Sequence, residues 1–248
     1  EDTEIFEWAT AENPYFPKDE LDRLKNTLDP KSFKQMFELT WDITPTNAVY
    51  EEFDEMNLMD CHFNGNLKTY VCIDWGWTNE MACLFIQYDK RTDRVYVIDE
   101  IVESKLTLDK LFQKILAKPY NINGWVCDIA GNQEREQTGK SNIDWFKEKG
   151  IRFIKSKSAV SVGIALTRSY IQNSKGQKRL FINPKTCPKL VDQLSNYSYA
   201  EKNGIILEEP VKQNDHAPDA LRYFMINILN SKNNKEKVIT FDRWSGWR

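Results

Sequence analysis

Residues 69–75, T-Y-V-C-I-D-W, form a β-rich run. Its apolar part ends at Asp74, which Trp75 and Gly76 follow. Two further runs of this kind follow at 81–88 and 95–102, and the short polar connection between them, D-K-R-T-D, suits a hairpin. The stretch therefore predicts three successive strands that meander into the beginning of a sheet.

Beyond the third strand, helical and strand patterns alternate. A helix over 107–118 carries an apolar stripe and precedes a fourth strand over 124–129, which again contains an aspartate near its end. The other predicted elements are a helix over 141–149, a strand over 151–154, a helix over 160–173, a strand over 179–182, a helix over 188–196, a hairpin over 196–208 and a helix over 215–229. Three meandering strands followed by alternating elements predict an α/β fold, a mixed sheet with helices on its faces.

The first sixty residues have a different texture. They combine two short helical patterns, at 18–28 and from Pro30 to about residue 39, with prolines and irregular stretches, and no glycine occurs before Gly65. We interpret residues 1–60 as an acidic helical arm, residues 61–230 as the main domain, and residues 231–248 as a polar C-terminal tail.

Composition excludes several classes of protein. The chain has 248 residues, of which 41% are hydrophobic, enough for a packed core, and no run approaches the roughly 18 apolar residues of a membrane span. The acidic start, E-D-T-E-I-F-E-W, is unlike a secretory signal. The five cysteines are scattered without a C-x-x-C pair, and two histidines are too few for a histidine-rich zinc site. A reducing, intracellular setting fits best.

Charge is unevenly distributed along the chain. The arm carries 16 Asp/Glu against 5 Lys/Arg, a balance of −11, whereas residues 145–190, the basic segment, carry 11 Lys/Arg against one acid, a balance of +10. This asymmetry indicates a basic surface that could meet a polyanion, although an ordinary solvated face is the alternative.

Three aspartates stand where a metal site could form. Asp74 and Asp128 each end a predicted strand, and the carboxyl ends of neighbouring strands are where ligands bind in open α/β sheets. Asp219 lies in the first turn of the last helix, which could cross the sheet near those ends. Three carboxylates without a Cys or His cluster favour a hard cation, one or two Mg²⁺ or Mn²⁺ ions.

Each acid also has a purely structural interpretation. Asp74 and Asp128 could simply end their strands, and Asp219 could stabilise a helix N-terminus electrostatically. Asp215 suits the N-cap position of the helix and shares one helix face with Asp219. His216 could hydrogen-bond to a metal-binding carboxylate without itself binding the metal. The prediction of a metal site rests on all these residues together and not on any one of them.

The motifs D-W-G-W (74–77), V-C-D-I-A-G-N (126–132) and N-D-H-A-P-D-A-L-R-Y (214–223) resemble the nuclease domain of the large terminase subunit of tailed bacteriophages. That resemblance covers residues 68–230 and implies a ribonuclease-H-like fold. It implies a metal-dependent endonuclease that cuts concatemeric viral DNA during packaging without strong sequence specificity. By motif, Asp74, Asp128 and Asp219 match the metal-binding catalytic aspartates, and His216 matches a histidine near the site.

The resemblance also implies partners and a location. Double-stranded DNA is the expected substrate, and the portal protein, the small terminase subunit and an ATPase motor domain are the expected protein partners, in the cytoplasm of the infected host. No phosphate loop is present, since T-G-K-S at 138–141 follows a glutamate where the motif needs glycine. The expected residues that bind DNA phosphates without reading sequence are Lys147, Lys149, Arg152, Lys155 and Lys157.

Two other functions remain open at this stage. Acids 54 and 91 residues apart, counted from 74 to 128 to 219, differ from the short second gap of integrases, but a resolvase-like or transposase-like nuclease of the same fold is a second hypothesis. A third is a non-catalytic DNA-binding packaging module. Metal-dependent cutting of a plasmid separates the third hypothesis from the others.

Overall fold

A six-stranded mixed sheet forms the centre of the molecule. The computed structural model describes residues 8–38, 47–76, 80–128, 141–155, 159–203 and 205–230. The strands are β1 Lys68–Asp74, β2 Glu80–Asp89, β3 Arg94–Ser104, β4 Ile122–Cys127, β5 Phe153–Ile154 and β6 Leu180–Ile182. Their order is β5-β4-β1-β2-β3-β6; β1, β2 and β3 pair antiparallel, and the other pairs are parallel. The predicted meander and mixed sheet are confirmed.

Helices cover both faces of this sheet. They are α1 Lys18–Thr27, α2 Pro30–Phe37, α3 Leu108–Leu116, α4 Asn142–Glu148, α5 Val160–Ile171, α6 Pro188–Asn196 and α7 His216–Phe224. The last helix continues as a π-helical segment, Met225–Asn230, and a separate hairpin consists of β7 Tyr199–Lys202 and β8 Ile205–Pro210. None of the helices in the described ranges is long and apolar enough to cross a membrane.

Local sequence explains where several helices begin. The Asp29 carboxylate accepts a hydrogen bond from the Ser32 amide and starts α2, whose first residue is Pro30. Ser141 and Asp144 form a reciprocal capping box at the start of α4, as the predicted helix start at residue 141 required. Ser141, the last residue of the stretch T-G-K-S, is therefore a helix cap. The other three residues of this stretch lie outside the described residues. So do residues 129–132, Trp77, the turn residue Gly204 and the tail 231–248.

The two faces of the sheet build two apolar cores. One contains Cys72 and Leu84 with α5, α6 and α7, and the other contains Ile73 and Phe85 with α3 and α4. All five cysteines are buried free thiols. Burial raises the pKa of Cys61 to about 11 and that of Cys127 to about 12.

The second half of the arm is part of the main core. Val49 and Tyr50 are almost fully buried in the core under α5–α7. The Asn57 side chain is also buried and donates hydrogen bonds to the carbonyls of Ile171 and Leu180. Residues 47–61 therefore pack as an integral layer, while the division at residue 60 into arm and domain stays a prediction.

The two charged regions of the sequence meet in the fold. Six acids of the arm pair with four cations of the basic segment: Arg168 with Asp29, Glu51 and Glu52, Lys175 with Asp22, Lys178 with Asp54, and Lys185 with Asp60. Much of the excess positive charge is therefore neutralised within the chain. This set of pairs does not include Lys147 of α4 or the later residues Lys149, Arg152 and Lys155.

Candidate functional site

The sheet brings the first two predicted aspartates to one edge. Asp74 is the last residue of β1, and Asp128 directly follows β4. These strands are parallel neighbours in which Ile73 pairs with Cys127, so the two aspartates occupy equivalent positions side by side. Helix α7 packs against β1, β2 and β4 and brings its first-turn residue Asp219 to the same region.

Two side chains of α7 act on Asp74. His216 Nδ1 lies 2.7 Å from Asp74 Oδ2, and Tyr223 is the second α7 side chain that lowers the pKa of this carboxylate. Burial raises the pKa of Asp74 to about 6; His216 opposes this shift, and the charge of Asp219 adds to it. A nearby cation would stabilise the charged form of this buried carboxylate.

Asp219 is bound by an arginine one helical turn later. Arg222 Nε and Nη2 both lie 3.0 Å from Asp219 Oδ1. Burial raises the pKa of Asp219, Arg222 opposes the shift, and the charges of Asp215 and Asp128 raise it further. The predicted acids thus influence one another electrostatically, directly or through Asp219.

The three carboxylates do not form a closed cage. Within the described ranges, no group of three His, Cys, Asp or Glu side chains is close enough to hold an ion as it stands. The structure therefore brings the predicted acids to one edge of the sheet, and their role as ligands stays a proposal.

Asp215 occupies the N-cap position of α7, as the sequence predicted, but its side chain makes no capping hydrogen bond. Its backbone carbonyl accepts from the Asp219 amide, and its carboxylate lies 3.9 Å from His216 Nε2. His216 thus stands between Asp74 and Asp215. The hydrogen bond to Asp74 is the largest cause that raises the pKa of His216.

Sequence reasoning missed three residues around the site. Arg222 and Tyr223 stand in the quoted α7 motif, and their spacing from Asp219 and His216 on one helix face was a usable signal. Tyr50 has no such signal, because it comes from the arm; burial and the nearby charge of Asp219 raise the pKa of its hydroxyl.

The predicted DNA-binding residues are placed differently from one another. Lys155 follows β5, whose Ile154 pairs with Val126 of β4, so Lys155 lies toward the edge that carries Asp128. The exposed residues of the set are Lys147, Lys149, Arg152 and Lys155. The Lys149 ammonium lies 4.5 Å from the centre of the Trp145 ring, and Lys157 lies outside the described residues.

We expect Asp74→Asn to stabilise the metal-free protein. Folding places a charged carboxylate in a buried position that favours its neutral form, and the asparagine removes this cost, about 3 kcal/mol, while still accepting from His216. In EDTA at pH 8 the melting temperature should rise by about 5 °C. Asp192→Asn, at an exposed position on α6, is the control and should leave the melting temperature unchanged; a lower melting temperature for Asp74→Asn contradicts the prediction.

Known proteins match this chain in sequence and fold. The family described as "Terminase RNaseH-like domain" matches residues 71–228. The large terminase subunit of Escherichia phage T5 is 25% identical over 240 residues, covering 89% of this chain and 51% of that protein. The chain therefore spans about half the length of this relative.

Two solved structures show the same fold. The large terminase of a thermophilic bacteriophage matches with a TM-score of 0.68 at 21% identity, over 88% of this chain and 54% of that one. The large terminase nuclease domain of bacteriophage SPP1, crystallised with bound Mn, matches with a TM-score of 0.52 at 22% identity, over 70% of this chain and 95% of that one. The second match covers nearly all of a nuclease domain.

Proposed function

Because the chain belongs to the terminase RNaseH-like domain family, we propose that it is the nuclease part of a large terminase. It acts as a divalent-metal-dependent endonuclease that cuts concatemeric viral double-stranded DNA, without strong sequence preference, during genome packaging. The observation that carries this proposal is the meeting of Asp74 and Asp128, at the ends of two adjacent parallel strands, with Asp219 from α7.

The donor set fits Mg²⁺ or Mn²⁺. Carboxylate oxygens are the ligands that hard cations prefer, and burial of Asp74 and Asp219 leaves negative charge that a cation would compensate. The SPP1 domain binds Mn, which supports the same class of ion here. When bound, such an ion activates water and stabilises the leaving oxygen of a phosphodiester.

The side chains of this chain orient the site. His216 holds the Asp74 carboxylate at the end of β1, and Arg222 holds Asp219 on α7. Lys155, next to β4, would bind a DNA phosphate and contribute no sequence preference.

The family also suggests the setting of the reaction. We propose double-stranded DNA as substrate and the portal protein, the small terminase subunit and an ATPase motor domain as partners, in the host cytoplasm. These partners belong to the whole packaging protein, of which this chain matches about half.

A plasmid assay tests the proposal. Supercoiled DNA incubated with the protein should be nicked and linearised in Mn²⁺ or Mg²⁺, without ATP, and remain intact in EDTA. Binding without cutting in either metal would identify a non-catalytic module. A strong preference for branched DNA would favour a resolvase.

We expect Lys155→Gln to weaken DNA binding in a salt-dependent manner. Each lost phosphate contact lowers the slope of log affinity against log salt by about 0.9 on duplex DNA. The measurement is a filter-binding titration in EDTA at several salt concentrations. Lys175→Gln is the matched control, because Lys175 pairs with Asp22 of the arm. Equal slopes for wild type and Lys155→Gln would place the DNA surface elsewhere.

A further inference from the structure

We propose that Arg222 is a positioning residue for Asp219, and that the missing side chain at Gly163 allows α5 to hold it in place. The proposal rests on the proposed function, in which Asp219 is a metal ligand. It assigns a role to two buried residues that are not themselves proposed as metal ligands.

The contact between Arg222 and Asp219 is specific in its atoms. Two different nitrogens of the guanidinium, Nε and Nη2, reach the same carboxylate oxygen, Oδ1, both at 3.0 Å. Nε donates a hydrogen bond to Oδ1 and Nη2 adds an ion-pair contact to the same oxygen, so Oδ1 is anchored and Oδ2 is the oxygen offered to a cation. A lysine ammonium is a point charge on a flexible stem and lacks this rigid pair of donors.

Arg222 acts through Asp219 because it is out of reach of DNA. Only 6% of its surface is exposed. The guanidinium lies 4.8 Å from the centre of the Tyr223 ring, and Tyr223 in turn lowers the pKa of Asp74. Two neighbouring residues of α7 therefore act on two of the proposed ligands, Arg222 on Asp219 and Tyr223 on Asp74.

Gly163 explains how the Arg222 side chain is seated. A Cβ atom at this position would lie 2.5 Å from Arg222 Cγ, 2.8 Å from its Cδ and 2.7 Å from Ile226 Cδ1. Those distances are far shorter than van der Waals contact, so any larger residue at 163 must displace the stem of Arg222. Glycine is disfavoured inside a helix, and this close approach of α7 gives α5 a reason to carry one.

The test compares metal affinity with stability. Mn²⁺ is titrated calorimetrically into the full chain carrying Gly163→Ala or Arg222→Lys, and melting temperatures are measured in EDTA. Loss of an outer partner of a metal ligand typically lowers metal affinity about tenfold to a hundredfold, and we expect a loss in this range for both variants. Cleavage should need correspondingly more Mn²⁺ to reach half its maximal rate.

Leu111→Ala is the matched control for stability. Leu111 of α3 is fully buried in the other core, so this variant should melt earlier and bind Mn²⁺ with unchanged affinity. Arg222→Lys keeps the positive charge and gives a second route to the answer should Gly163→Ala fail to fold. Full Mn²⁺ affinity in Arg222→Lys would overturn the proposal, because charge alone would then suffice.

Asp219→Asn separates this proposal from the function itself. Strongly reduced Mn²⁺ binding in Asp219→Asn, with wild-type binding in Gly163→Ala and Arg222→Lys, would overturn the positioning role and leave the nuclease proposal intact. Wild-type Mn²⁺ binding and cutting by Asp219→Asn would instead remove Asp219 from the site and end both the positioning role and this assignment of the ligands.

Discussion

Asp74→Asn, Asp128→Asn and Asp219→Asn are each expected to slow plasmid cleavage by about 10³-fold or more. A metal ion contributes several kcal/mol of transition-state stabilisation, and each 1.36 kcal/mol is a tenfold change in rate. Asparagine preserves the size of the side chain and removes the charge that a cation needs. The measurement is the initial rate of nicking in saturating Mn²⁺, with circular dichroism to verify folding.

The control for this series is Asp192→Asn, an exposed acid on α6, which should cut at the wild-type rate. His216→Ala is a graded case: it keeps all three carboxylates and frees Asp74 from the 2.7 Å contact, so we expect a smaller loss. A folded Asp128→Asn variant that cuts like the wild type would show that the second metal-binding acid lies elsewhere.

Arg168→Met is expected to lower the free energy of unfolding by about 3–5 kcal/mol, because it leaves buried carboxylates without their cation. Arg168 is 5% exposed as a residue and pairs with Asp29, Glu51 and Glu52 of the arm. Burial raises the pKa of Glu52 even with the arginine present, so its charge is already costly in the fold. Urea unfolding of wild type and variant measures the difference.

Lys175→Met is the matched control for Arg168→Met. Its partner Asp22 is 62% exposed in its side chain, and exposed pairs contribute little, so the loss should stay below about 1 kcal/mol. Comparable values for the two variants would mean that the pairs of Arg168 are as weak as a surface pair. The integral packing of residues 47–61 would then rest on its other contacts, such as the burial of Val49 and Tyr50 and the hydrogen bonds of Asn57.

Much of the fold could be predicted because its signals are local. The apolar run before Asp74 predicted β1, and Ser141 predicted the start of α4, since strand alternation and helix caps act within a few residues. The convergence of Asp74 and Asp128 followed from a general property of parallel strands. The end of α7 as a π-helical segment had no comparable local signal.

The parts of the fold and of the site that could not be predicted depend on contacts between residues that are far apart in the sequence. The acidic arm and the basic segment looked like separate charged surfaces, but Arg168 and Glu51, 117 positions apart, are partners in the fold. Which charges neutralise each other is decided by tertiary packing, which composition does not contain. For the same reason, Tyr50 could not be connected with Asp219, and the cations that pair with the arm could not be told apart from the rest of the basic segment.

The burial of all five thiols has a practical consequence for fluorescence work. Maleimide reagents react with the thiolate, and a buried thiol with a raised pKa, such as Cys61 or Cys127, supplies very little of it. A cysteine introduced at exposed Lys202 on β7 should therefore take up a dye selectively in the folded chain, with every native cysteine left in place. Such a single-label protein would report by its emission whether the hairpin changes its surroundings when DNA is added.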